Sequence, residues 1–392
     1  MALQRSFIRF PTIVEFGAGT LEKLGGIARQ YGRRAYCVID PFFKEHPAGE
    51  RALSLLREAG VETVVTYAVA TNPSAEDIDP KAAACVENRC DLVVALGGGG
   101  SIDIGKAVAA VATNGRSSWD YAALETRPYE EITIPPLPLI AVPTTAGTGA
   151  EATIYSVVTN HELRRKCSIR SFYLYPTVAL IDPALTLDAP PMLTAMTGID
   201  TFAHAYESYT NKKATKFSEM IALESMRLFA ENILTCCTDG RDIEARSNMA
   251  FASMLGGLAI AHCPCTIGHV LGQCLSGYTN APHGASLAVC TAQIIRWTLP
   301  AGREKLARIA RLFDHSLSGK TEEQAAAALP DILDSLFERI LGARVTMQTY
   351  GLQPAQEKEF ADFIFENYQG DMSNYVRIPT REDVHALVHA CM

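Results

Sequence analysis

Residues 91–107 read DLVVALGGGGSIDIGKA, an apolar run that ends in four glycines and passes into a helix-like stretch, KAVAAVAT at 106–113. A strand that turns through glycine into a helix leaves backbone N–H groups facing the space beyond the strand end, where the helix dipole favours an anion. A tight turn needs fewer than four glycines, so the stretch reads as a phosphate site. Similar short runs recur on both sides of it: AYCVID to Asp40, VETVVTY to Tyr67, PLIAVPTT to Thr145 and TVALID to Asp182. Their alternation with helix-like segments predicts a largely parallel sheet covered by helices.

The pattern changes after Pro190 and Pro191. Segments such as ATKFSEMIALESMRLFAENIL from Ala214 and REKLARIARLFDHSL from Arg303 carry helical periodicity and few β-branched runs. A chain of 392 residues, 48% of them hydrophobic, exceeds what one core usually serves. The expected architecture is therefore an N-terminal α/β domain over residues 1–188 and an all-helical C-terminal domain over residues 189–392.

A formal net charge of -8 without a long Lys/Arg run argues against nucleic acid or anionic lipid as a partner. The N-terminus lacks the layout of a signal peptide and the apolar runs are too short or interrupted to span a bilayer, so a soluble, cytoplasmic protein is expected. Eleven cysteines, an odd number without paired CxxC clusters, fit reduced thiols better than a disulfide framework.

Gly100 to Lys106 matches G-x-x-x-x-G-K, but position 107 is alanine. The loop thus lacks the hydroxyl that usually binds Mg²⁺ in a nucleoside-triphosphate site. The dinucleotide fingerprint G-x-G-x-x-G is absent too, since the first strand-to-helix turn is DPFF at 40–43. Asp40 nevertheless ends its strand as a ribose-binding acid would. A carboxylate there accepts from a 2′-hydroxyl and repels a 2′-phosphate, so that if a dinucleotide binds, NAD is favoured over NADP; taken alone, Asp40 reads as a helix or turn cap. A second turn of small and hydroxylated residues, VPTTAGTGAEAT at 142–153, falls on the same carboxyl edge of the sheet, where open α/β sheets bind ligands. Its Thr144, Thr145 and Thr148 offer donors to phosphate or ribose, or else satisfy their own loop.

Asp200 and His204, in TGIDTFAHAYESYT at 197–210, are four apart and share one helical face. His385 and His389 have the same spacing and read as an ordinary helix face. What distinguishes the first pair is a later segment of small and apolar residues containing His269 and His283, where an unpaired imidazole is costly. Three imidazoles and a carboxylate make an N₃O donor set for a divalent ion.

Taken in order, FGAGTLEKL, NPS, GGGGSIDIGK, PTTAGTGAEAT, IDPALTL, GIDTFAHAYESY and PHGASLAV resemble the iron-dependent, group III alcohol dehydrogenases, from about Pro11 to about Leu299. The resemblance implies a dinucleotide-binding N-terminal domain and a helical metal-binding domain, a plan shared with dehydroquinate synthase. It implies a metal, Fe²⁺ or else Zn²⁺, bound by Asp200, His204, His269 and His283. His269, fourteen residues before His283, is selected over His262 by the interval that family members show. NAD is expected to be held by Asp40, Asn72, Gly99, Gly100, Ser101, Asp103, Thr144, Thr145, Thr148, Thr153 and Lys166.

Many members carry a histidine or an aromatic where this chain has Gln273, and an amide relays no proton near neutral pH. His262, Cys263 and Cys265, in HCPC, are expected to form pocket wall or core. The expected reaction is hydride transfer between a small alcohol, or its aldehyde or ketone, and NAD, with the metal as Lewis acid on the substrate oxygen and no separate catalytic residue. A homodimer or larger homo-oligomer is expected from the resemblance. The rivals are a dehydroquinate synthase-type lyase and an NTPase built on Gly100 to Lys106.

Overall fold

The parallel strands form where apolar residues run continuously, because helices cover both faces of the sheet. The computed structural model describes residues 6–67, 72–124 and 128–392. Its first half contains β1 (Ile13–Phe16), α1 (Leu24–Tyr31), β2 (Arg34–Ile39), α2 (Pro47–Glu58), β3 (Glu62–Thr66), α3 (Ala75–Glu87), β4 (Leu92–Gly97), α4 (Gly99–Asn114), β5 (Leu139–Pro143), β6 (Tyr155–Asn160), β7 (Arg165–Arg170) and β8 (Val178–Ile181). Six strands make one all-parallel sheet in the order β1-β8-β5-β4-β2-β3.

Alternation along each strand sends its side chains into two cores. Tyr36, Val38, Val93 and Ala95 pack with Ile78 and Ala82 of α3 and Ile104 and Val108 of α4. Ala35, Cys37, Ile39, Val94 and Leu96 pack with Leu24 and Ala28 of α1 and Leu55 and Leu56 of α2. Every residue of β4 is buried, and each large apolar side chain placed there contributes about 1.5–3 kcal/mol.

The five strands expected from the apolar runs are present as β2, β3, β4, β5 and β8. Two features lay outside that reading: the short edge strand β1, and the antiparallel hairpin of β6 and β7, which forms a separate two-stranded sheet. After β2 the chain continues outward to β3, whereas after β4 it continues to β5 on the other side. The strand order therefore reverses between β2 and β4, and open α/β sheets bind ligands beyond the carboxyl ends of such a pair.

The second half is helical: α5 (Pro191–Thr210), α6 (Lys216–Thr238), α7 (Ile243–His262), α8 (Ile267–Thr279), α9 (His283–Phe313), α10 (Glu322–Leu341), α11 (Glu357–Asn367), α12 (Gln369–Met372) and α13 (Arg381–Cys391). Pro190 caps α5 and Pro191 is its first residue, a position where the missing N–H costs nothing. Compactness divides the chain between Asp188 and Ala189, and the N-terminal segment ending at Arg9 groups with the helical unit. The backbone N–H of Arg9 donates to His262 Nε2 at 3.2 Å. No single helix among the described residues is long and apolar enough to cross a membrane.

Candidate functional site

Helical period puts Asp200, His204 and Glu207 on one face of α5, and that face is buried. His269 comes from the first turn of α8 and His283 is the first residue of α9. Glycine permits the three helices to approach. A Cβ on Gly284 would lie 1.9 Å from the Met196 carbonyl oxygen, and one on Gly268 would lie 2.5 Å from Glu207 Oε1.

The structure brings all four expected metal ligands together. Asp200 Oδ1 lies 3.5 Å from His204 Nε2, 3.5 Å from His269 Nε2 and 3.4 Å from His283 Nε2. These separations exceed an N–H···O hydrogen bond. They match the spacing of donors around a shared ion, since bonds of about 2.1 Å at tetrahedral angles set donor atoms about 3.4 Å apart. Asp200 Oδ1 and His269 Nε2 are buried without a hydrogen-bond partner, a costly arrangement unless a cation joins them. The chemistry of the donor set and these orphaned atoms both fit a divalent metal.

Burial alone would raise the Asp200 carboxyl, but the His204, His283 and His269 imidazoles hold it well below the usual carboxylate range. The centre therefore has a permanent anionic pole. The side chains of Asp200, His204 and His269 are only 4%, 7% and 5% exposed, whereas that of His283 is 22% exposed, so the cluster is open on the His283 side.

One residue beside these ligands was not anticipated. Glu207 accepts from His269 Nδ1 at 2.6 Å, and its other oxygen accepts from the Thr266 N–H at 2.6 Å and the Thr266 hydroxyl at 3.0 Å. Burial pushes Glu207 up, but the His269 ring and these donors bring it below its ordinary value. A carboxylate on Nδ1 fixes the ring orientation and leaves Nε2 for a metal. The available signal was its spacing, seven after Asp200 and three after His204.

Cys265, expected as pocket wall or core, stands directly beside the cluster: its sulfur lies within 4.8 Å of ligand nitrogens of both His204 and His269. It lies in the non-helical segment ahead of α8, four residues before His269. The other members of HCPC stay outside the cluster. His262 is satisfied by the Leu258 carbonyl, 2.8 Å from Nδ1, and by the Arg9 N–H, and Cys263 is fully buried core. Gln273 is half-buried on α8, one turn beyond His269. His385 and His389 contact Asp362 and Glu357 at 3.0 Å each, as an ordinary helix face would.

In the α/β unit, the loops expected to hold a nucleotide meet at the strand-order reversal. A Cβ on Gly97 would lie 2.2 Å from Ser101 Oγ and 2.8 Å from Asp40 Cβ. One on Gly98 would lie 3.3 Å from Thr145 Oγ1, and one on Gly99 would lie 2.4 Å from Thr148 Cγ2. The Thr144 N–H donates to the Gly97 carbonyl at 3.0 Å. Helix α4 starts at Gly99 with no side-chain cap; the Ser101 N–H donates to the Gly98 carbonyl at 3.1 Å, and the first turn receives no side-chain oxygen. The Ser101 hydroxyl in that turn is buried and has no hydrogen-bond partner. Asp40 caps the turn after β2 by accepting from the Phe42 N–H at 3.0 Å, and Thr148 accepts from the Ala150 N–H at 3.2 Å.

The remaining expected positions form separate groups. Lys166 on β7 donates to Asn72 Oδ1 at 3.2 Å. Asp103 is buried on α4, and its carbonyl accepts from the Ser156 hydroxyl at 2.8 Å. Lys106 is 1% exposed and donates to the Thr153 carbonyl and hydroxyl at 2.9 Å each and to the Tyr155 carbonyl at 2.8 Å. That ammonium is consumed internally. The G-x-x-x-x-G-K match is therefore not a triphosphate loop, and the NTPase reading falls.

Comparison with known proteins agrees with this geometry. Residues 11–183 match the family described as iron-containing alcohol dehydrogenase, and residues 194–392 match the Fe-containing alcohol dehydrogenase family, C-terminal. The chain is 34% identical to a choline dehydrogenase of Bacillus subtilis (strain 168), over 88% of this chain and 85% of that one. It is also 34% identical to a 1,3-propanediol dehydrogenase of Klebsiella pneumoniae, over 81% of each chain. A crystal structure of sulfoacetaldehyde reductase from Bifidobacterium kashiwanohense in complex with NAD+ covers 99% of both chains at 26% identity, with a TM-score of 0.86.

Proposed function

The chain belongs to the iron-containing alcohol dehydrogenase family and is a metal-dependent alcohol oxidoreductase, and on that premise we propose that Asp200, His204, His269 and His283 hold its metal and that NAD is its hydride acceptor. The observation that carries the reading is the convergence of three imidazoles on Asp200 Oδ1 at 3.4–3.5 Å. When bound, the divalent ion supplies Lewis-acid stabilisation of charge on the substrate oxygen and NAD takes the hydride.

The protein's own groups do the positioning. Asp200 keeps a negative charge at the centre of the donor set, which raises its affinity for a cation. Glu207 holds His269 by its Nδ1–H, so that the ring presents a lone pair at Nε2. The His283 side provides access for a small alcohol. Gln273 carries no titratable proton near neutral pH, so proton release does not pass through it.

Gly99, Gly100, Ser101, Thr144, Thr145 and Thr148 are proposed to hold the pyrophosphate and ribose, with Asn72, Asp103, Thr153 and Lys166 lining the remainder. Asp40 supports NAD over NADP, because its carboxylate repels a 2′-phosphate. The complex of the sulfoacetaldehyde reductase with NAD+ supports the same choice. Fe²⁺ is the proposed native ion, on family membership; imidazole and carboxylate donors accept Zn²⁺ as well. Eleven free cysteines support a cytoplasmic setting, and a homodimer or larger homo-oligomer is carried over from the family.

The test is metal analysis of protein purified without oxygen, followed by NADH production from a panel of small alcohols. Chelator treatment or Asp200→Ala is expected to lower turnover roughly 100-fold or more, as loss of several kcal/mol of Lewis-acid stabilisation requires. Full turnover by the stripped protein refutes the reading. Steady NADH accumulation also separates it from a lyase that uses NAD transiently, which the family relationship already disfavours.

A further inference from the structure

The centre contains one donor more than the proposed reaction uses. Two triads of ligand atoms can be drawn in it, each with all atoms within 4.8 Å of one another: Asp200, His269 and His283, and His204, Cys265 and His269. The first is a hard, oxygen-containing set and the second a soft, sulfur-containing one. They share His269, whose Nε2 is buried without a hydrogen-bond partner. We propose that Cys265 is an additional metal donor, and that the site is two overlapping sets between which the softness of the bound ion selects.

This inference rests on the metal-site reading above and extends it. Thiolate donors favour Zn²⁺ and Co²⁺ over Mn²⁺, which prefers oxygen. A soft ion moves toward His204, Cys265 and His269, forming a metal–sulfur bond as the thiol proton leaves to solvent; no oxidant or reductant is involved. A hard ion stays with Asp200, His204, His269 and His283 and leaves the sulfur protonated. Cys265 is a free, partly exposed thiol, so bonding to an ion requires no disulfide to break. The same cysteine thus sharpens the preference for Zn²⁺ and Co²⁺ over Mn²⁺ that the imidazole donors already set.

The experiment loads stripped wild-type protein with Co²⁺ and, separately, Zn²⁺ and Mn²⁺, and repeats this with Cys265→Ser and Cys265→Ala. Wild type with Co²⁺ is expected to show a thiolate-to-cobalt charge-transfer band in the near ultraviolet, absent from both variants. Zn²⁺ affinity, read by chelator competition, is expected to fall roughly 100-fold in the variants, one donor's share of a structural zinc affinity, while Mn²⁺ affinity is unchanged. A wild-type cobalt spectrum without that band overturns the proposal even if the variants fail to fold, and so does an equal effect on Zn²⁺ and Mn²⁺. Failure of all three ions to bind the wild type would instead sink the metal-site reading itself.

Discussion

Glu207 Oε1 and His269 Nδ1 are 2.6 Å apart, joining the last turn of α5 to the first turn of α8 in the buried part of the candidate metal centre. The bond sets the tautomer of a ring that has no other hydrogen bond on its metal-facing nitrogen. Glu207→Gln keeps the size of the side chain, but its amide nitrogen must face either the His269 N–H or the Thr266 N–H, donor against donor. Metal affinity is expected to fall about 10–100-fold, the usual effect of losing such a partner, in a chelator competition. Unaltered affinity would make Glu207 a structural residue only.

Gly268→Ala tests the same contact from the other side. The added methyl would stand 2.5 Å from Glu207 Oε1 and 2.9 Å from its Cδ, so the carboxylate must move off its line to His269. Stability is expected to drop by about 1–3 kcal/mol, as for overpacked cores. Metal retention through gel filtration should decline with it. A variant with wild-type melting and metal content would mean that α8 yields without disturbing Glu207.

Gly99→Ala addresses the nucleotide loops. Its Cβ would lie 2.4 Å from Thr148 Cγ2 and 2.7 Å from Thr148 Oγ1, forcing the glycine loop and the threonine turn apart. Losing one hydrogen bond to a charged phosphate costs about 1.5–3 kcal/mol, so NAD should bind at least roughly tenfold more weakly by calorimetry. Metal content should stay at the wild-type level. Unchanged NAD binding would remove this loop from the proposed cofactor site.

Glu151 gives a pH dependence separate from the metal. Burial pushes its carboxyl up to about 7, against an opposing pull from Lys106, and burial pushes Lys106 down to about 8. Between the unfolded value of 4.5 and about 7, the folded chain keeps a proton that the unfolded chain releases. Stability from this group is therefore fully present below pH 4.5 and is lost as pH rises through 7, by about 3 kcal/mol in total. Urea midpoints of wild type and Glu151→Gln should diverge between pH 5 and pH 8, with the variant declining less. Parallel curves over that range would contradict the assignment.

Much of the fold and half of the candidate metal centre are written locally. The continuous apolar runs of β2, β4, β5 and β8, the glycines after β4 and the four-residue interval from Asp200 to His204 are short-range patterns, and strand burial and helical period translate them directly. The β6–β7 hairpin was not legible, because its strands mix exposed and buried residues and carry charges such as Arg165, Lys166 and Arg170. Lys106 shows the converse, a familiar spacing whose side chain turns into the core toward Thr153 and Tyr155.

The residue types and intervals were thus enough to name a parallel sheet, a candidate phosphate loop and a candidate set of metal ligands. Only tertiary packing decided that Glu207 buttresses His269, that the Cys265 sulfur stands within 4.8 Å of His204 and His269 and that Lys106 is withdrawn from any phosphate. Short-range periodicity specifies which residues share a strand face or helix turn, whereas contacts across 59 or 62 residues depend on how closely α5, α8 and α9 can approach, which Gly268 and Gly284 permit.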